Sequence, residues 1–268
     1  MSEKAQLRFD ANLKWLFTEL PFEQRFEAAA KAGFEAVEYS SPYEYTADFL
    51  NKCLADAGLS ELVLINCPTG SPGTPTRNGS ACIPDRVDEF RTGYLSALEY
   101  AVALGASVIH VNAGIRPDDV SRDRAFATYV TNIAWAAEQA ASTNVTLALE
   151  VMNQRDAPGF VLESMEQAAS VVQSIGGDHL GVMFDVYHLQ VNQGDLATRL
   201  HKLFPLIAHI QIADAPHRTE PGTGEIAWPF VFDQIQSLGY DGWIGCEYTP
   251  VAGTVEGLTW MDKFRSAS

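Results

Sequence analysis

Cysteine is scarce. Four stand among 268 residues (Cys53, Cys67, Cys82, Cys246), and no two are spaced as CxxC. A disulfide scaffold is therefore unsupported, and free thiols in a reducing, cytoplasmic setting are expected. Positive charge is also short: 18 Lys and Arg stand against 34 Asp and Glu, a net charge of −16. That balance argues against nucleic acid as a partner, which calls for a basic stripe, and against an anionic membrane surface. No apolar run approaches the roughly 18 residues of a membrane span. The opening residues 1–6 are polar and lack the apolar centre of a leader peptide. Motifs are missing too. No GxSxG, Walker motif or GxGxxG after the first strand is present, so a nucleophile-elbow hydrolase, NTP chemistry and a dinucleotide fold lose support. None of Lys4, Lys14, Lys31, Lys52, Lys202 and Lys263 ends a predicted strand, which disfavours Schiff-base chemistry.

What the chain does have is alternation. Short apolar stretches at residues 7–12, 34–39, 61–66, 107–112, 144–150, 180–185, 206–213 and 242–247 read as strands. Between and after them, amphipathic stretches at 22–32, 46–57, 86–104, 121–141, 163–174, 195–204, 229–238 and 254–264 read as helices. Gly33, Gly58 and Gly105 stand where left-handed helix caps belong, and Ser121 where an N-cap belongs. Strands such as 145–149 and 207–212 are apolar almost without break, as strands covered on both faces must be. Eight β-α units imply a parallel sheet closed into a (β/α)₈ TIM barrel, for which about 250 residues is an ordinary length. No linker interrupts the series, so residues 1–268 are read as one α/β domain, with an open doubly wound sheet as the weaker alternative.

A barrel of this kind carries its chemistry at the C-terminal ends of its strands. The predicted strands end on Asn12, Glu38, Asn66, Asn112, Glu150, Asp185, Gln211 and Glu247. All eight are carboxylates or carboxamides, expected to face one mouth. The sharpest group is Glu150, Asp185, Gln211 and Glu247, on strands five to eight. Three converging carboxylates repel one another. Either a hard divalent cation such as Mg²⁺ or Mn²⁺ relieves that repulsion, or a pair shares a proton. His188, three residues after Asp185, is expected to reach the mouth, either donating to substrate or supporting a carboxylate. His209 lies two residues before Gln211 and faces the same way but deeper, as a buried, hydrogen-bonded group. Arg218 offers a bidentate clamp for a carboxylate or hydroxyl. Asn66 and Asn112 complete the candidate substrate-binding set.

Several strings match a known family. They are Phe9-Asp10-Ala11-Asn12-Leu13, Gly33-Phe34-Glu35-Ala36-Val37-Glu38, Ala81-Cys82-Ile83-Pro84, Phe184-Asp185-Val186-Tyr187-His188, the run 211–226, Gly242-Trp243-Ile244-Gly245-Cys246-Glu247-Tyr248 and Gly257-Leu258-Thr259-Trp260-Met261. Together they resemble the hydroxypyruvate isomerase family, within the xylose-isomerase-like barrels, over nearly the whole chain. The resemblance implies interconversion of hydroxypyruvate and tartronate semialdehyde, a small hydroxy-oxo acid pair. It implies a divalent metal, Mg²⁺ or Mn²⁺, on Glu150, Asp185, Gln211 and Glu247, with Glu150 and Glu247 moving protons. Ketose epimerase relatives carry His where this chain has Gln211, so the resemblance favours the isomerase branch. A sibling branch acts on 2-oxo-tetronates. One departure bears on substrate choice: the family's Arg-Gly pair before Ala-Cys-Ile-Pro is replaced by the Gly/Pro/Thr-rich loop 69–80. A non-catalytic ligand-binding barrel is the rival of another class, and two opposed glutamates argue against it. The aromatic C-terminal stretch (Trp260, Phe264) is expected to pack on the barrel or on a second subunit of a homo-oligomer.

Overall fold

The computed structural model describes residues 6–264. Residues 1–5, part of the polar opening stretch, and 265–268 lie outside it, so the chain from 1 to 268 is not covered throughout. Eight strands form one sheet: β1 (Arg8–Asn12), β2 (Ala36–Glu38), β3 (Leu64–Asn66), β4 (Val108–His110), β5 (Thr146–Leu149), β6 (Leu180–Asp185), β7 (Ile207–Ile212) and β8 (Trp243–Cys246). Their order is β2-β1-β8-β7-β6-β5-β4-β3, and every named pairing is parallel. The two ends meet through a parallel bridge, Val37 to Leu62, with backbone bonds Val63 N–H to the Val37 carbonyl (2.8 Å) and Tyr39 N–H to the Leu64 carbonyl (3.1 Å). The sheet is thus a closed (β/α)₈ barrel, as the alternation predicts.

The helices start and stop where their caps dictate. Thr46 Oγ1, Ser121 Oγ and Ser164 Oγ each accept the N–H three residues on, starting the helices Ala47–Ala57, Arg122–Ala140 and Met165–Ile175. Gly58 and Gly105 end their helices in the left-handed region, at φ 72° and 78°, where a Cβ is strained. Two local expectations are corrected. The segment after β6 is itself helical (Val186–Asn192), begun by Asp185, whose Oδ1 accepts the His188 N–H at 2.9 Å. The closing stretch is a 3₁₀ helix, Glu256–Lys263, rather than an α-helix. There Trp260 stacks edge-on against Phe9 (5.1 Å) and lies over Phe232 (5.7 Å), and Phe264 meets Phe232 at 4.6 Å. The aromatic stretch therefore packs on its own barrel.

Inside the barrel the side chains form levels. At one end an apolar level gathers Ala36, Leu64, Val108, Ala148, Met183 and Trp243. Glu38 lies two residues beyond Ala36 on β2, and Asp10 on β1 and His209 on β7 pair in register with Ala36 and Met183; all three are buried. The candidate mouth residues lie beyond these, at the C-terminal strand ends. Among the described residues no helix is long and apolar enough to cross a membrane.

Candidate active site

Glu150 stands one residue past β5 and is buried. One oxygen each from Glu150 and Asp185 and a His188 ring nitrogen lie within 4.8 Å of one another. His188 Nε2 is 3.8 Å from Glu150 Oε1 and 3.9 Å from Asp185 Oδ2. The His188 tautomer follows from its other side. Nδ1 accepts the Asn153 backbone N–H at 3.2 Å, and the Asn153 amide stands 2.8 Å away. A backbone amide can only donate, so the ring proton is on Nε2. That Nε2–H is buried, has no well-aligned partner among the described residues, and points between two carboxylates. Burial, reinforced by Arg218, holds the imidazole well below its ordinary range, so it is neutral. His188 therefore offers this pocket a donor rather than a lone pair.

Arg218 joins the second half of the site. Its NH2 lies 2.5 Å from Glu247 Oε2 and 3.7 Å from Asp185 Oδ2. Burial works against its charge, but Glu247, Asp185 and Glu150 outweigh that effect and keep it protonated. The guanidinium lies between rings, 4.6 Å from Trp15 and 5.2 Å from Tyr187. Arg218 has φ 56° and belongs to a loop pinned by Asp214. The Asp214 carboxylate accepts the N–H groups of Gly222 (2.8 Å), Gly224 (2.9 Å) and Ile226 (3.1 Å). Glu247 Oε1 accepts from Trp15 Nε1 at 3.1 Å and from Asn12 Nδ2 at 3.3 Å.

Gln211 is set from below. Its Nε2 donates to Glu38 Oε1 at 2.7 Å, leaving the carbonyl oxygen, the atom a hard cation uses, outside that bond. Glu38 also accepts from Asn12 Nδ2 (2.7 Å) and contacts His209 Nε2 (2.9 Å). It corrects the expectation that all eight strand ends face the mouth. Glu38 is fully buried at the level of His209 and supports the mouth residues through their amides. Gly245 makes room for it, because a Cβ there would lie 2.7 Å from both carboxylate oxygens. His209 is buried and hydrogen-bonded, as the sequence predicts.

Asn66 and Asn112 stand apart from this network. Among the described residues no hydrogen bond links either side chain to the carboxylates. The Asn66 carbonyl accepts the Tyr43 hydroxyl, and the Asn112 backbone lies under Gly79, at φ 101°. Strand β4 ends earlier than predicted, at His110, which the sequence reading passed over. His110 is buried with Nε2 3.2 Å from Glu150 Oε2. The rule that drew attention to His209, two residues inward from a strand-end amide, points equally to His110.

The donor set fits a hard divalent cation. Glu150 and Asp185 bring oxygens within ligating range of one another, Glu247 is tied to Asp185 through the Arg218 guanidinium, and the Gln211 amide oxygen lies outside its hydrogen bond to Glu38. Burial pushes Glu150 well up, helped by Asp185 and Glu247, and pushes Glu247 up to about 7 against the opposing pull of Arg218. Between the ordinary glutamate value of 4.5 and about 7, Glu247 therefore holds more proton in the folded chain than in the unfolded one, whereas the buried imidazoles of His188 and His110 hold less. Stability from Glu247 is present below that window and is lost as pH rises through it, while the imidazoles act in the opposite direction. Comparison with Glu247→Gln isolates the carboxyl: in chelator, the wild-type midpoint minus the variant midpoint is expected to decline from pH 5 to 7. A difference that rises across that window would contradict the arrangement.

Residues 26–264 match the model of the xylose isomerase-like TIM barrel family. The chain is 44% identical over 257 residues to the 2-oxo-tetronate isomerase of Cupriavidus necator, covering 96% of this chain and 98% of that one. It is 42% identical over 259 residues to the hydroxypyruvate isomerase of Escherichia coli, covering 97% and 100%. Among solved structures, one titled as a family 2 AP endonuclease from Brucella melitensis superposes with a TM-score of 0.92 at 36% identity, covering 97% of this chain and 100% of the other.

Proposed function

Because the chain belongs to the xylose isomerase-like TIM barrel family, we propose that it is an isomerase of small hydroxy-oxo acids, exchanging hydroxypyruvate and 2-hydroxy-3-oxopropanoate. The observation that carries this reading is the grouping of Glu150, Asp185 and Glu247 around the buried His188 N–H and the Arg218 guanidinium. The relatives named hydroxypyruvate isomerase and 2-oxo-tetronate isomerase support it.

Glu150, Asp185, Gln211 and Glu247 would hold Mg²⁺ or Mn²⁺. When bound, such an ion would supply Lewis acidity, which makes the C–H of the hydroxyl-bearing carbon beside the carbonyl more acidic. The protein's own groups move the proton. One glutamate takes it from the hydroxyl-bearing carbon and a proton is returned to the former carbonyl carbon, while the hydroxyl proton passes to the former carbonyl oxygen, so the two oxygens exchange roles. Glu150 and Glu247 sit three strands apart, on different sides of the pocket, so each approaches a different flank of a bound three- or four-carbon chain. In the metal-free site burial holds both above the ordinary carboxylate range, Glu247 at about 7. His188 Nε2–H donates to a substrate oxygen where charge develops, and Arg218 pairs with a carboxylate or hydroxyl. Trp15 and Tyr187 flank Arg218 and limit water there.

The four-carbon reading, a 2-oxo-tetronate isomerase, is supported by the 44% relative. Turnover of C3 and C4 2-oxo acids and of a C6 ketose by the same preparation tests both. Isomerisation of at least one of the two acids, with a higher kcat/KM than for the ketose, is expected. Turnover of the ketose alone, or of none, overturns the proposal.

A further inference from the structure

The groups holding Glu150 include one that the proposed chemistry does not use. We propose that His110 is a positioning residue for Glu150, its Nε2–H steadying Oε2 so that Oε1 faces the ion and the substrate. The inference rests on the metal-dependent isomerase reading above and goes beyond it.

Geometry comes first. Strands β4 and β5 pair in register with His110 opposite Ala148. Side chains alternate along a strand, so Glu150, two residues beyond Ala148, leaves the sheet on the same inward face as His110, one level higher. His110 Nε2 lies 3.2 Å from Glu150 Oε2, and both side chains are only 5% exposed. The other oxygen, Oε1, faces His188 Nε2 at 3.8 Å. The two ends of one carboxylate are thus addressed by two different imidazoles.

The neighbour places the ring hydrogen: beside a carboxylate oxygen at 3.2 Å, the attractive arrangement has an N–H at Nε2. No other described residue offers Nε2 a well-aligned partner, and the Glu150 contact is itself off line. A modest turn of the carboxylate aligns it, as catalytic hydrogen bonds commonly tighten once ligand arrives. A polar ring sealed in the barrel whose Nε2 meets only Glu150 among the described residues has little to contribute as packing alone, where an apolar side chain would serve.

Two polar variants test this. His110→Gln extends its amide nitrogen to about the Nε2 position, whereas His110→Asn presents its nitrogen short of Oε2. Circular dichroism and thermal melting check the fold of each. Mn²⁺ affinity is read by electron paramagnetic resonance, and kcat and KM at saturating Mn²⁺. The expected result is an Asn variant whose Mn²⁺ affinity or kcat falls roughly 10–100-fold, the usual range for losing a group that orients a metal ligand. The Gln variant is expected to recover most of that loss. An Asn variant equal to wild type, or a Gln variant as impaired as Asn, overturns the inference while leaving the isomerase reading intact. A wild-type chain that binds no Mn²⁺ overturns both.

Discussion

Glu150→Gln and Glu247→Gln are each expected to lower kcat about 10²–10⁴-fold at saturating Mg²⁺ or Mn²⁺, the range supplied by a positioned acid or base. The amide keeps the shape and one oxygen of the carboxyl but cannot accept a proton. Stability is expected to move the other way. Burial raises both acids, and Asp185 and Glu247 add to the effect on Glu150, so the metal-free site is strained by like charge. Removing one charge relieves that repulsion, and the thermal midpoint of either variant in chelator should equal or exceed wild type. Arg218 makes the two cases unequal. It lies 2.5 Å from Glu247, so Glu247→Gln leaves a partly buried guanidinium with Asp185 at 3.7 Å as its nearest remaining carboxylate among the described residues, and the gain there is smaller. Steady-state kinetics with a melting curve on the same samples checks both halves. A variant with near-normal kcat at saturating metal would remove that residue from proton transfer.

Thorough chelation is expected to abolish turnover, with Mg²⁺ or Mn²⁺ restoring it. The argument is electrostatic. Glu150 and Asp185 are buried and Glu247 is partly buried, and among the described residues the Arg218 guanidinium contacts both Asp185 and Glu247. A substrate bearing its own carboxylate adds a further negative charge, so a divalent cation is needed to admit it. Loading should also release protons at pH 6 to 7, because an ion displaces those held by Glu150 and Glu247. Proton release in weakly buffered solution, titrated with Mn²⁺, gives a readout separate from turnover. Undiminished activity after chelation would exclude the metal-dependent route.

The barrel was legible because strands covered on both faces are apolar along their length, and eight such stretches recur in order. Gly58, Gly105, Ser121 and Thr46 punctuate helices through local backbone chemistry that needs no tertiary information. The helix Val186–Asn192 was not legible. Seven residues are too few for a helical period to emerge, and its cap, Asp185, was read only for its chemistry. The carboxylates of the site were legible as strand-end residues. Their supports were less so. Glu38 was read as a mouth residue because position along the strand does not reveal that Gly245 opens a niche for it deeper in the barrel. His110 was hidden by placing the end of the fourth strand at Asn112. Trp15 was missed because it follows β1 in a turn, where no periodicity says which way a ring faces.

Trp15 has a practical consequence. Its indole N–H is bonded to Glu247 and its ring lies under a guanidinium, so its excited state is coupled to the charge of the pocket. Any ion or acid that rearranges Glu247 must alter the polarity felt by that indole. The barrel therefore carries an intrinsic fluorophore at its mouth, through which occupancy can be followed by emission without a label or a coupled assay.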